Sequence, residues 1–134
     1  MRVSIIAAFI LLTSPAAMAG TDWVSAGKVK GPDGLITLWA DMDSMHRTGA
    51  QQLEVWIKYT NARPNRDHIK ETLAYEHLYC SARQHSTMVL MNYAADGRIL
   101  NEQHWPLSPT PIVPDSLLDG MLPFLCAAGA MPQR

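Results

Sequence analysis

Apolar and polar positions alternate with a period of two along most of the stretch from Asp22 to His104, and that alternation predicts strands. The clearest run is Gln52–Tyr59. Leu53, Val55, Ile57 and Tyr59 alternate with Gln52, Glu54, Trp56 and Lys58, which leaves one large ring, Trp56, on the polar face. Asp22–Lys30 is a candidate first strand. Gly31-Pro32-Asp33-Gly34 is a turn, and Leu35–Asp41, rich in β-formers, is the second strand. Asp43–Gly49 reads as a polar connection with room for one helical turn, and Asn61–Asp67 as a loop. Lys70–Cys80 fits two patterns. Leu73, Tyr75 and Tyr79 share one face of a strand and Ala74, Leu78 and Cys80 the other, whereas Glu71, Leu73, Ala74 and Leu78 also suit a helix; the tyrosines favour strand. Gln84–Tyr93 is a strand, Ala95-Asp96-Gly97 a hairpin turn, and Arg98–His104 the returning strand.

The period changes near the C-terminus. Ser108–Pro114 carries prolines at 109, 111 and 114 and reads as an extended connector. Ser116-Leu117-Leu118-Asp119 fits a capping box, and Leu118, Leu122 and Cys126 fall at helical spacing with Met121 and Leu125 beside them. Gly120 and Pro123 disfavour a helix interior, Pro123 by about 3 kcal/mol, so the helix should be short, kinked or held by its contacts. The last residues, 128–134, read as a flexible tail. Several antiparallel strands followed by one helix give an α+β fold, a single sheet with the helix packed across one face.

The first residues, 1–19, form a leader. Arg2 supplies a positive start, Val3 to Leu12 is an apolar run, and Ala17-Met18-Ala19 is a small-x-small cleavage signal. The run is about 10 residues, half of the ~20 that a spanning helix needs. Export with cleavage is therefore the expectation, leaving one domain and no later membrane-spanning helix. Lys and Arg total 11 against 12 Asp and Glu, so there is no basic excess to neutralise a phosphate backbone, and nucleic acid is not an expected partner. The 17% of charged residues is not a disordered composition.

Cys80 and Cys126 are the only two cysteines. An even count in an exported chain suggests one disulfide, which would close a loop of about 46 residues and contribute roughly 4 kcal/mol in the chain-entropy description. A redox pair or a zinc site would call for C-x-x-C or nearby His and Cys at fixed spacing.

A family resemblance rests on Tyr75-Glu76-His77-Leu78-Tyr79-Cys80, Val89–Tyr93 before the turn at Gly97, Trp105-Pro106-Leu107-Ser108-Pro109, and Phe124-Leu125-Cys126-Ala127. Upstream, Leu38-Trp39-Ala40-Asp41 before Asp43-Ser44-Met45, and Val55–Tyr59, extend it. The pattern resembles the surface-adhesin protein E family of Gram-negative bacteria across a domain of residues 20–127. The resemblance implies an antiparallel sheet of about six strands whose C-terminal helix is tethered to the concave face by a Cys80–Cys126 disulfide. It also implies a non-enzymatic binding module, periplasmic or on the cell surface, whose partner is a host extracellular-matrix protein or an envelope component. The founding adhesin is lipid-anchored, whereas no lipobox cysteine follows this leader.

Candidate chemistry is sparse. The five histidines, His46, His68, His77, His85 and His104, show no H-x-x-x-H or H-E-x-x-H spacing, and there is no G-x-S-x-G elbow, phosphate loop or cofactor motif. His77 and His85, close across a hairpin and next to Glu76, are the alternative reading: a small periplasmic metal-binding protein or enzyme. Asp41 and Asp43 suit a cap and turn better than an acid–base pair. Met88, Met91, Met121 and Met131 suit core filling better than copper ligation. Trp39, Trp56 and Lys58 are the candidate partner-binding residues, because an exposed tryptophan on a sheet is a good interface anchor.

Overall fold

The computed structural model describes residues 22–130, so the leader and the last four residues lie outside the described residues. The strands are β1 (Trp23–Gly31), β2 (Gly34–Asp41), β3 (His46–Gly49), β4 (Gln52–Asn61), β5 (Glu71–Tyr79), β6 (Gln84–Tyr93), β7 (Ile99–His104) and β8 (Thr110–Pro111), and one helix, α1, spans Leu117–Gly129. Six strands form a continuous antiparallel half-barrel in the order β1-β2-β4-β5-β6-β7. The expected α+β fold is thus present, as is the strand reading of Lys70–Cys80. Two short strands were not expected: β3 pairs with the start of β4, and β8 with the start of β6.

Local chemistry explains the joints. The β1–β2 hairpin turns through Pro32 and Asp33, with Gly34 at φ +124°, a backbone that favours glycine. Between β2 and β3 a 3-10 turn, Met42–Ser44, is capped by Asp41, whose side chain accepts from the Asp43 N–H at 3.1 Å. The Ser44 hydroxyl donates to the Asp41 carbonyl at 2.8 Å and accepts the Trp56 N–H at 3.0 Å. That N–H lies where β4 changes neighbour from β2 to β3 and would otherwise lack a partner. Asp41 and Asp43 therefore shape a turn.

Period two in β4 becomes a division between faces. Leu53, Val55 and Ile57 are buried and join Leu38, Ala40 and Leu78 from the neighbouring strands. Leu118, Met121, Leu122 and Leu125 of α1 close that core from above. Gly129 lies against Leu53, where an added β-carbon would come within 2.7 Å of the leucine side chain. The helix continues through Pro123 to Gly129. Its four buried apolar side chains are each worth about 1.5–3 kcal/mol, so any two of them offset the proline. Ser116 caps the start by accepting the Asp119 N–H at 3.1 Å, and Arg83 from the β5–β6 turn bonds Asp119. The contacts hold the helix, and it is longer than its Gly and Pro content suggested.

Cys80, just past β5, is bonded to Cys126 of α1 with Cα atoms 5.9 Å apart. The tether sits at the far end of the helix from its cap, so both ends of α1 are fixed to the sheet. Replacing both cysteines with serine is expected to lower unfolding stability by about 2–5 kcal/mol. Urea denaturation measures that loss, and hydrogen exchange should show the deprotection concentrated in the last two turns of α1.

Candidate functional site

The residues of the polar face of β4 point away from the helix, and their cross-strand partners are aromatic or charged. Trp56 sits opposite Tyr75 with ring centroids 5.0 Å apart. Lys58 sits opposite Trp39, and its ammonium lies 5.7 Å from the Trp39 ring centroid and 4.3 Å from that of Trp23 on β1. The structure thus brings Trp39, Trp56 and Lys58 together and adds Trp23 and Tyr75, two residues that inspection of one strand at a time misses. Their grouping depends on register. All five are half-buried by neighbours in their own sheet rather than by the helix. The indole N–H of Trp39 is buried without an acceptor among the described residues, which costs about 1–3 kcal/mol.

Glu54 organises the adjoining part of this face. It accepts the Tyr75 hydroxyl at 2.6 Å and lies 3.2 Å from His77 Nδ1 and 3.1 Å from His46 Nε2. The Tyr75 hydroxyl bond, helped by the two histidines, holds the Glu54 carboxyl below its usual range against the opposing effect of burial. Burial, with the Glu54 carboxylate beside it, pushes the Tyr75 hydroxyl up to about 12. His77 also stacks on Tyr79, with centroids 4.6 Å apart.

His77 and His85 do not meet. His77 pairs in register with Ser86 and faces Glu54, whereas His85 pairs with Leu78 and faces the helix side of the sheet. Among the described residues no three His, Cys, Asp or Glu side chains converge as a metal site. Of the four methionines weighed as copper ligands, Met121 is in the core, Met88 and Met91 are half-buried on β6, and Met131 lies outside the described residues.

A different pair forms instead. Glu76, 3% exposed, lies 3.0 Å from His85 Nδ1 and accepts the Thr87 hydroxyl at 2.7 Å. An irregularity in the β5–β6 register between Tyr75 and Glu76 sets Glu76 opposite Thr87, and the sequence gives no signal for it. The Glu76 bond raises the His85 pKa, outweighing the opposing effect of burial. Tyr59, nearby on the same face, is raised mainly by burial and further by the Glu76 charge.

The family model described as surface-adhesin protein E matches residues 23–127. No curated protein and no solved structure matches the chain.

The Glu76–His85 pair gives a signed pH dependence. A histidine raised above its ordinary value of 6.5 stabilises the fold fully below 6.5, and that contribution is lost as pH rises through the higher folded value. An NMR titration should place the His85 midpoint above 6.5, and Glu76→Gln should bring it down to that value or lower.

Proposed function

Because the chain belongs to the surface-adhesin protein E family, we propose that it is an exported, non-enzymatic binding module that docks a host extracellular-matrix or bacterial envelope protein on its helix-free face. The observation that carries this reading is the grouping of Trp39, Trp56 and Lys58 with Trp23 and Tyr75 on that face. Tryptophan, tyrosine and a cation over a ring are the side chains that concentrate binding energy at interfaces. Rigidity supports the reading too. Trp39, Trp56 and Tyr75 sit on the central strands β2, β4 and β5, Trp23 sits on the edge strand β1 under the Lys58 ammonium, and all are fixed by cross-strand contacts, so little ordering entropy would be lost on docking. The disulfide accords with an oxidising compartment, periplasm or cell surface.

Surface plasmon resonance against purified extracellular-matrix glycoproteins and solubilised envelope proteins tests it. Trp56→Ala and Lys58→Glu should each weaken binding by about thirtyfold, the size of a hot-spot loss. Phe124→Ala, on the exposed outer side of the helix, should leave it unchanged. No binding to either class, or binding indifferent to both face variants, overturns the proposal.

A further inference from the structure

The helix packs on β1 and β4, and the other half of the same sheet face, carried by β5, β6 and β7, is left to a different kind of surface. Two cavities lie there. One, of about 340 Å³, is lined by His85, Thr87, Leu90, Trp105, Ser108 and Thr110 among others; the second, of about 220 Å³, runs from His85 past Tyr59 and Ile112 to the start of α1. His85 belongs to both. The larger is within the ~300–1,000 Å³ of small-molecule sites.

The walls are built in advance of any ligand. The strap from Trp105 to Ile112 is tied down by Trp105 N–H to the Met88 carbonyl at 2.9 Å, Ser108 N–H to the Ser86 hydroxyl at 2.9 Å, and Ile112 N–H to the Arg83 carbonyl at 3.0 Å. Prolines at 106, 109 and 111 stiffen it further. Trp105 is nonetheless 44% exposed, a large ring held on a fixed backbone and left open. Bonded to His85 and Thr87, Glu76 is a buried carboxylate, an expensive group to place in a sheet that could have carried an apolar residue there. Glu76 holds His85 through Nδ1, which leaves Nε2 without a partner among the described residues on the ring that both cavities share.

The chemistry of the walls narrows the ligand. Among the described residues no Lys or Arg lines either cavity, and a charge on His85 is already met by the Glu76 carboxylate, so no unpaired cation is offered to a phosphate, a sulfate or an acidic sugar. Hydroxyl groups among the apolar side chains make it a poor fit for a lipid chain. One exposed indole beside hydroxyls and an imidazole N–H suits a ring with an apolar face and a polar edge. We infer that the cavity between Trp105 and His85 binds a neutral saccharide ring of a glycan chain, its C–H face on the indole and its hydroxyls toward His85 Nε2 and the Thr87 and Thr110 hydroxyls. This site is independent of the helix-free face and adds a second ligand class to the protein partner proposed above.

Neutral glycans reach an exported protein from two sources, the amino-sugar chains of the bacterial wall and the galactose-capped chains of host cells. The disulfide-intact protein is titrated by ¹⁵N NMR with chitotetraose as the first probe and lacto-N-tetraose as the second. Shifts at the Trp105 indole N–H and the Thr87 and Thr110 amides are expected with at least one probe, and the stronger binder identifies the source. Trp105→Ala should weaken sugar binding at least tenfold and Trp105→Phe should restore much of it, while Phe124→Ala, on the exposed outer side of the helix, should leave sugar binding unchanged. Absence of shifts at millimolar sugar with both probes overturns the inference, as does binding that Trp105→Ala leaves intact. Either result leaves the Trp56-dependent protein interface untouched.

Discussion

One helix of 13 residues cannot cover a face of a six-stranded sheet. The remaining organisation follows from that constraint. Where α1 lies, over β1, β2 and β4, the sheet presents Leu38, Ala40, Leu53, Val55 and Ile57 and a dry core forms. Beyond the helix, on β5 and β6, the same face changes character. Glu76, Thr87 and His85 replace aliphatic side chains, and the polar groups satisfy one another in place of packing. An all-apolar inner face would have left a large hydrophobic surface open to water.

The disulfide gains importance from the same arithmetic. The helix packs mainly on an edge strand and one central strand, and its sequence contains Gly120 and Pro123, so intrinsic propensity works against it. The buried leucines and Met121 offset that loss, and the Cys80–Cys126 bond keeps the C-terminal end in place when the contacts loosen. Cys80 follows directly on β5, the strand that also carries Glu76, Tyr75 and His77. A covalent tie at the end of that strand therefore stabilises the strand shared by both faces.

Most of the fold was legible from alternation alone. Gln52–Tyr59 and Gln84–Tyr93 each fall within a strand that keeps their start, because period two with bounding turns admits few other readings. What was not legible depended on partners far away in sequence. β3 has four residues, all exposed, with no alternation to betray it, and exists because β4 has an edge to fill. The short β8 lies within a proline-rich connector and pairs only through Gln84 and His85. The aromatic grouping shows the same divide. Trp56 on a polar face was readable, but its companions required knowing that Trp39 pairs with Lys58 and Tyr75 with Trp56. For Glu76 the sequence suggests the wrong partner. Adjacent to His77 in sequence, it points to the other face and meets His85, since successive residues of a strand face opposite ways.

Two surfaces of different chemistry on opposite sides of one rigid sheet have a physical consequence for adhesion. The helix-free face, proposed above to dock a protein, offers rings and a cation, while the half-open inner face, proposed to take a saccharide ring, offers one indole, hydroxyls and an imidazole. Ligands on opposite faces do not exclude one another sterically. A glycoprotein or a wall-anchored partner that presented both would be held by two modest interactions, and linked interactions multiply through effective concentration even when each alone is weak. β5 contributes Tyr75 to one face and, on the other, Glu76, which holds His85, so the two proposed sites are joined through one strand. Geometry, rather than any flexible linker, sets the distance between them, and a sheet braced by α1 and its disulfide is suited to keeping that distance constant.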